Sequence, residues 1–106
     1  MSRPGGTGSA QAITDEVAAL CVGLKDAAIA QAQATGWNGI PAQWTPQSFC
    51  SQVVAGTNFF VKVRIDDTPT GYMHLRIFRP LPHVGAPASV TGVQIGMGEA
   101  DPCAYF

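Results

Sequence analysis

The chain has 106 residues, a net charge of −1 and only 12% charged residues. That is enough for one small domain, read as residues 1–106, with a core whose stability margin is thin. Without a basic stripe, nucleic acid binding through phosphate contacts is not expected, and no apolar run approaches the ~20 residues that span a bilayer, so no membrane partner is expected.

Residues 1–12 carry three glycines, one proline and no periodicity, which predicts a flexible arm. The arm lacks the apolar core of a signal peptide, so a cytoplasmic location is expected. Thr14 then opens a helix as its N-cap, and Asp15 and Glu16 place negative charge in the first turn, where it complements the macrodipole. Ile13, Val17, Leu20, Cys21, Leu24 and Ala28 recur at spacings of three and four, giving one apolar stripe that Ala32 extends. Gly36 ends the helix after Thr35. The span is roughly 30 Å.

A connector with Gly39, Pro41 and Pro46 follows, its tryptophans Trp37 and Trp44 read as packing residues. Phe49 to Val54 is a strand. Ala55, Gly56, Thr57 and Asn58 supply turn-prone residues, and Phe59 to Ile65 is the next strand. Phe59, Val61, Val63 and Ile65 fall on one face, Lys62 and Arg64 on the other. After the polar turn Asp66 to Gly71, Met73, Leu75 and Ile77 face one way and His74 and Arg76 the other. Pro80, Leu81, Pro82 and His83 break the ladder, Val90 to Ile95 reads as a last strand, and Gly96 to Phe106 is a tail. Strands joined by short turns after one long helix imply an α+β fold, with an antiparallel sheet of four to five strands wrapped around that helix.

Little in this pattern suggests catalysis. Cys50 lies in a strand, with no helix N-terminus to lower its pKa, so pairing with His74 or His83 as a thiol nucleophile is not expected. No phosphate loop is present, since Gly5, Gly6, Thr7 and Gly8 precede no P-loop lysine. Cys21, Cys50 and Cys103 show no metal-ligand spacing, and no cofactor is expected. The hairpin tip is more informative. Most exposed tips are polar, and one made of Gln52, Val53, Val54, Ala55 and Gly56 suggests a tip that inserts into a partner.

That pentapeptide resembles the first binding hairpin of the cystatins, inhibitors of papain-like cysteine proteases, and within them the stefin (type 1 cystatin) branch. The resemblance continues through Gln52 to Val63 (QVVAGTNFFVKV), Met73 to Phe78 (MHLRIF), Leu81-Pro82-His83, Pro4-Gly5-Gly6 and the closing Tyr105-Phe106. It implies a cystatin-like fold and a reversible, tight-binding protease inhibitor rather than an enzyme. In stefins the N-terminal arm lies in the protease cleft, which carries over to Arg3, Pro4, Gly5 and Gly6. Gln52 to Gly56 would sit over the catalytic groove of a cathepsin-type enzyme, with Pro80, Leu81, Pro82 and His83 beside it. The alternative is a non-inhibitory protein-binding module on the same fold. A monomer is expected, with a domain-swapped dimer as a third reading. In stefins the tail crosses the outer sheet face, so by the same resemblance Cys103 could approach Cys50. The competing reading leaves three reduced thiols in a reducing compartment.

Overall fold

The computed structural model describes residues 8–106. Helix α1 runs over Asp15–Gly23 and α2 over Lys25–Ala34. Strands β1 (Gln11–Ala12), β2 (Thr45–Val54), β3 (Gly56–Arg64), β4 (Tyr72–Pro80) and β5 (Ser89–Met97) form one antiparallel sheet in sequence order. This is the expected α+β architecture, with differences in the helix, in the arm, and in β2 and β3, which reach back over Pro46 and forward to Gly56 so that only Ala55 is left as the turn.

The helix is divided at Leu24, whose backbone (φ −107°, ψ 11°) leaves the α region before Lys25 resumes it. Gly23 immediately before the break has no Cβ to stabilise the turn, and helices bend at such residues. The apolar stripe continues across the break, because Val17, Cys21, Ala28 and Ala32 are all buried in one core. Thr14 caps α1 through its side-chain oxygen, which accepts from the Val17 amide at 3.3 Å. Gly36, at φ 101°, closes α2. Its amide donates to the Gln33 carbonyl and the Trp37 amide to that of Ala32, the paired bonds of a left-handed helix stop.

The arm was expected to be flexible through Ala12, yet Gln11 and Ala12 pair with Phe49 and Ser48. The Gly8 amide donates to the Ser51 carbonyl at 2.9 Å. The outer edge of β2 offers unpaired backbone groups there, and the arm satisfies them. Pro46 lies in β2 beyond the stretch that β1 covers, beside a register shift between Pro46 and Ser48. A proline is tolerated at such an edge because its missing N–H would have met no strand.

The alternation of the strands sorts the sheet into two faces. Phe49, Phe59, Val61, Val63, Met73, Leu75 and Ile77 are buried against the helices, and Ile65 joins them just past β3. Burying each such side chain contributes about 1.5–3 kcal/mol. The connector tryptophans flank this core, and the Trp44 indole N–H donates to the Cys21 carbonyl at 3.0 Å. The opposite face carries a second, smaller cluster of Cys50, Phe60 and Cys103 with Phe106 packed on it. The segment after β5 covers this face. The Lys62 ammonium donates to the Glu99 carbonyl, and the Arg76 guanidinium donates to the Phe106 carbonyl while stacking 5.3 Å from the Phe106 ring.

Candidate functional site

Two loops meet at one end of the sheet. In the first, Val54 pairs with Gly56 across the single residue Ala55, so the hairpin reverses in the least possible chain. Such a reversal needs unusual torsions, and Gly56 supplies them at φ 127°. Gly56 is also the crowded point of the site. A Cβ there would lie 2.6 Å from the Arg79 carbonyl oxygen and 2.9 Å from the Phe78 ring. Behind the tip, the Asn58 side-chain amide donates to the Gln52 side-chain oxygen at 2.9 Å and ties the two strands together.

The second loop begins where β4 ends. Gly56 pairs with Pro80. The two loops therefore start one strand spacing, about 4.8 Å, apart. Leu81 follows in an extended conformation (φ −57°, ψ 144°), Pro82–Val84 makes one tight helical turn, and Gly85 at φ 73° closes it. The prolines restrict the backbone on both sides of Leu81.

The chemistry of this edge is apolar and exposed. Val53 is 75% exposed, Val54 43% and Leu81 38%. Ala55, Pro82 and His83 are exposed beside them, while Gln52 and Pro80 are half-buried. The structure thus brings Gln52, Val53, Val54, Ala55, Gly56, Pro80, Leu81, Pro82 and His83 to one edge. Arg3, Pro4, Gly5 and Gly6 lie outside the described residues. The described chain begins at Gly8 beside Ser51, one residue from Gln52 in β2.

Two residues of this edge were not legible in the sequence. Between the loops runs a shallow groove of about 500 Å³, lined in part by Glu16, Thr57, Arg79 and Ala86. The Arg79 guanidinium meets the Glu16 carboxylate at 2.9 Å and lies 4.9 Å from the centre of the Phe59 ring. It links the end of β4 to the first turn of α1, so the second loop is braced against the helix. Glu16 in the sequence signals only a helix start, and nothing in the local pattern joins it to a residue so far along the chain.

Cys21 is not poised as a nucleophile. Burial pushes the Cys21 thiol up to about 12, far from the thiolate form needed for attack. Cys50 faces the tail, where its thiol donates to the Cys103 carbonyl at 3.5 Å. The His74 imidazole is buried, and its Nε2 has no hydrogen-bond partner among the described residues. Desolvation, and then the neighbouring Lys62 charge, hold it below its ordinary value, with Asp101 pulling the other way. Among the described residues, no group of three or more His, Cys, Asp or Glu could hold a metal ion, and no helix is long and apolar enough to cross a membrane.

An antiparallel sheet folded over a helical arm, with two tight loops aligned at one edge, is the architecture of a cystatin. The comparisons agree. The chain is 44% identical over 59 residues to the cystatin-B proteins of Macaca fuscata fuscata and Homo sapiens, which is 56% of this chain and 58% of theirs. To the cystatin-B of Bos taurus it is 41% identical over 58 residues, 55% of this chain and 57% of that one. The chain thus spans less than two thirds of the curated relatives it matches. No protein-family model matches it. The matched relatives are all cystatin-B proteins, so over this stretch the chain is similar to the stefin branch of the cystatins.

Proposed function

We propose that this protein is a reversible, tight-binding inhibitor of papain-like cysteine proteases, and that it acts by filling the active-site cleft. The observation that carries the reading is the exposed apolar edge formed by Val53, Val54 and Leu81 on two rigid, adjoining loops. Water is a poor neighbour for such an edge, and a protease groove offers the apolar walls that would cover it. The relatives named cystatin-B support the same class.

The mechanism follows from the backbone. Every residue from Gln52 to Val54 is paired to β3, and Gly56 is paired on both sides. The tip enters the cleft as part of a sheet, so little conformational entropy is lost on docking. Paired to β3 and turned back at Ala55, the tip backbone is not free to lie along the cleft as a separate substrate strand does. The protease is blocked without being offered a substrate, and the inhibitor dissociates uncut. The surface lost is expected to be about 800 Å² on each partner. In this reading the segment containing Arg3, Pro4, Gly5 and Gly6 takes the other side of the cleft.

The test replaces the apolar tip while leaving the fold intact. Val53 and Val54 are exposed, so Val53→Asp with Val54→Asp costs the domain little stability. Placing two carboxylates in an apolar groove is expected to weaken papain inhibition by 100-fold or more, about 3 kcal/mol. Equal inhibition by the wild type and the folded variant would remove the reading of the tip as a wedge that fills the cleft. No inhibition by a folded wild-type monomer would favour the non-inhibitory binding module instead.

A further inference from the structure

We propose that Cys50 and Cys103 are a redox-active dithiol, and that their oxidation to a disulfide staples the tail to the strand that carries the first loop. All three cysteines are thiols in the structure. Two of them, however, share one buried cluster on the outer face of the sheet. The Cys50 Sγ lies 3.5 Å from the Cys103 carbonyl oxygen, and the Cys103 Sγ lies 3.9 Å from the Ser48 hydroxyl. Ser48 and Cys50 are two residues apart on β2, so Cys103 sits directly over that stretch of strand. Each sulfur swings about one rotatable side-chain bond, and a disulfide forms where the tail brings the two Cβ atoms within about 4.5 Å of each other.

The two thiols are also ranked by access. Cys50 is held under Phe60 and the tail at 1% exposure, whereas Cys103 is 7% exposed in the irregular segment after β5. Local opening of a segment without ladder bonds costs less than opening the sheet, so Cys103 meets solvent first. Cys21 lies in the other core, against the helices, and has no access to this pair.

The reaction needs a two-electron oxidant, and a small disulfide such as oxidised glutathione supplies it. The Cys103 thiolate attacks one glutathione sulfur, forming a mixed disulfide and releasing one glutathione thiolate. The Cys50 thiolate then attacks the Cys103 sulfur and displaces the second glutathione thiolate. Two electrons pass from the cysteine pair to glutathione disulfide, and the two cysteine protons end on the two released thiols. The product closes a loop between positions 53 residues apart. Closing a loop of that length removes enough unfolded-state entropy to raise Tm by about 10 °C or more in a domain of this size.

The experiment incubates the whole chain with oxidised glutathione, then maps disulfides by mass spectrometry of unreduced digests and measures Tm with and without dithiothreitol. A peptide joining Cys50 to Cys103, formed in the Cys21→Ser variant as well, and a Tm rise that dithiothreitol reverses are the expected results. The Cys50→Ser variant should instead stop at a glutathione adduct on Cys103. A wild-type chain that keeps both thiols, stops at the same adduct or joins Cys21 to either partner would overturn the proposal. None of these readouts depends on whether the protein inhibits a protease.

Discussion

Gly56 is the residue on which both loops of the site depend, and replacing it with alanine tests the geometry quantitatively. Two costs arise. The first is torsional, because φ 127° is a region that L side chains rarely adopt, a penalty of about 1–3 kcal/mol. The second is steric. The new methyl would stand 2.6 Å from the Arg79 carbonyl oxygen, a backbone atom locked into the β3–β4 ladder that cannot swing aside. Forcing a methylene-sized group into a packed position costs about 1–3 kcal/mol more. A total near 3 kcal/mol lowers Tm by on the order of 10–20 °C for a domain of this length. Gly85→Ala provides the control. Gly85 also has a positive φ of 73°, but nothing lies within 4 Å of its would-be Cβ, so only the torsional cost of about 1–2 kcal/mol applies. Thermal denaturation followed by circular dichroism reads both. If Gly56→Ala melts no lower than Gly85→Ala, the crowding at the hairpin turn is wrong, and with it the claim that one residue sets the spacing of the loops. The Gly56→Ala protein that remains folded should also inhibit papain at least tenfold more weakly, because relieving the contact moves the tip or the second loop.

Other outcomes follow from single contacts. Thr14→Ala removes the cap on α1 and should cost about 1 kcal/mol in denaturant unfolding, with Thr14→Ser restoring most of it. The His74 imidazole titrates below its ordinary value in the folded protein. Unfolded chains therefore bind the proton first as pH falls, and stability should be lost on acidification from about 6.5 towards the lower folded value. Urea midpoints measured over that range should flatten in His74→Gln, and an equally steep wild-type and variant profile would contradict the assignment. Arg79→Gln should leave Tm nearly unchanged, since the ion pair with Glu16 is solvent-exposed. It should nevertheless weaken papain inhibition severalfold by loosening the second loop, and inhibition equal to that of the wild type would contradict the brace.

Much of this architecture could be read from periodicity because the forces involved are local. The two-residue alternation from Phe59 to Ile65 and from Met73 to Ile77 sorted core from outer face, and the same side chains are the buried ones. The helix stripe behaved similarly, and Gly36 ended it through the torsions only glycine adopts freely. The break at Leu24 was not legible, since an apolar stripe reads the same through a kink as through a straight helix. Nor was the order of residues 8–12, because their pairing depends on an open edge of β2 that exists only once the sheet has formed. At the site, the tip composition announced itself as too apolar for an exposed turn. The brace from Arg79 to Glu16 left no such trace, as it joins residues that only the tertiary fold brings together.

Active-site titration of papain tests the central claim most directly. Increasing amounts of the wild-type chain are added to a fixed concentration of active enzyme, residual activity is read, and the complex is then dissociated and weighed by mass spectrometry. The wedge account predicts a linear loss of activity ending at one molar equivalent, with both proteins recovered at their full masses. Undiminished activity in the presence of excess folded protein, or recovery of a chain cut between Gln52 and Gly56, would contradict it.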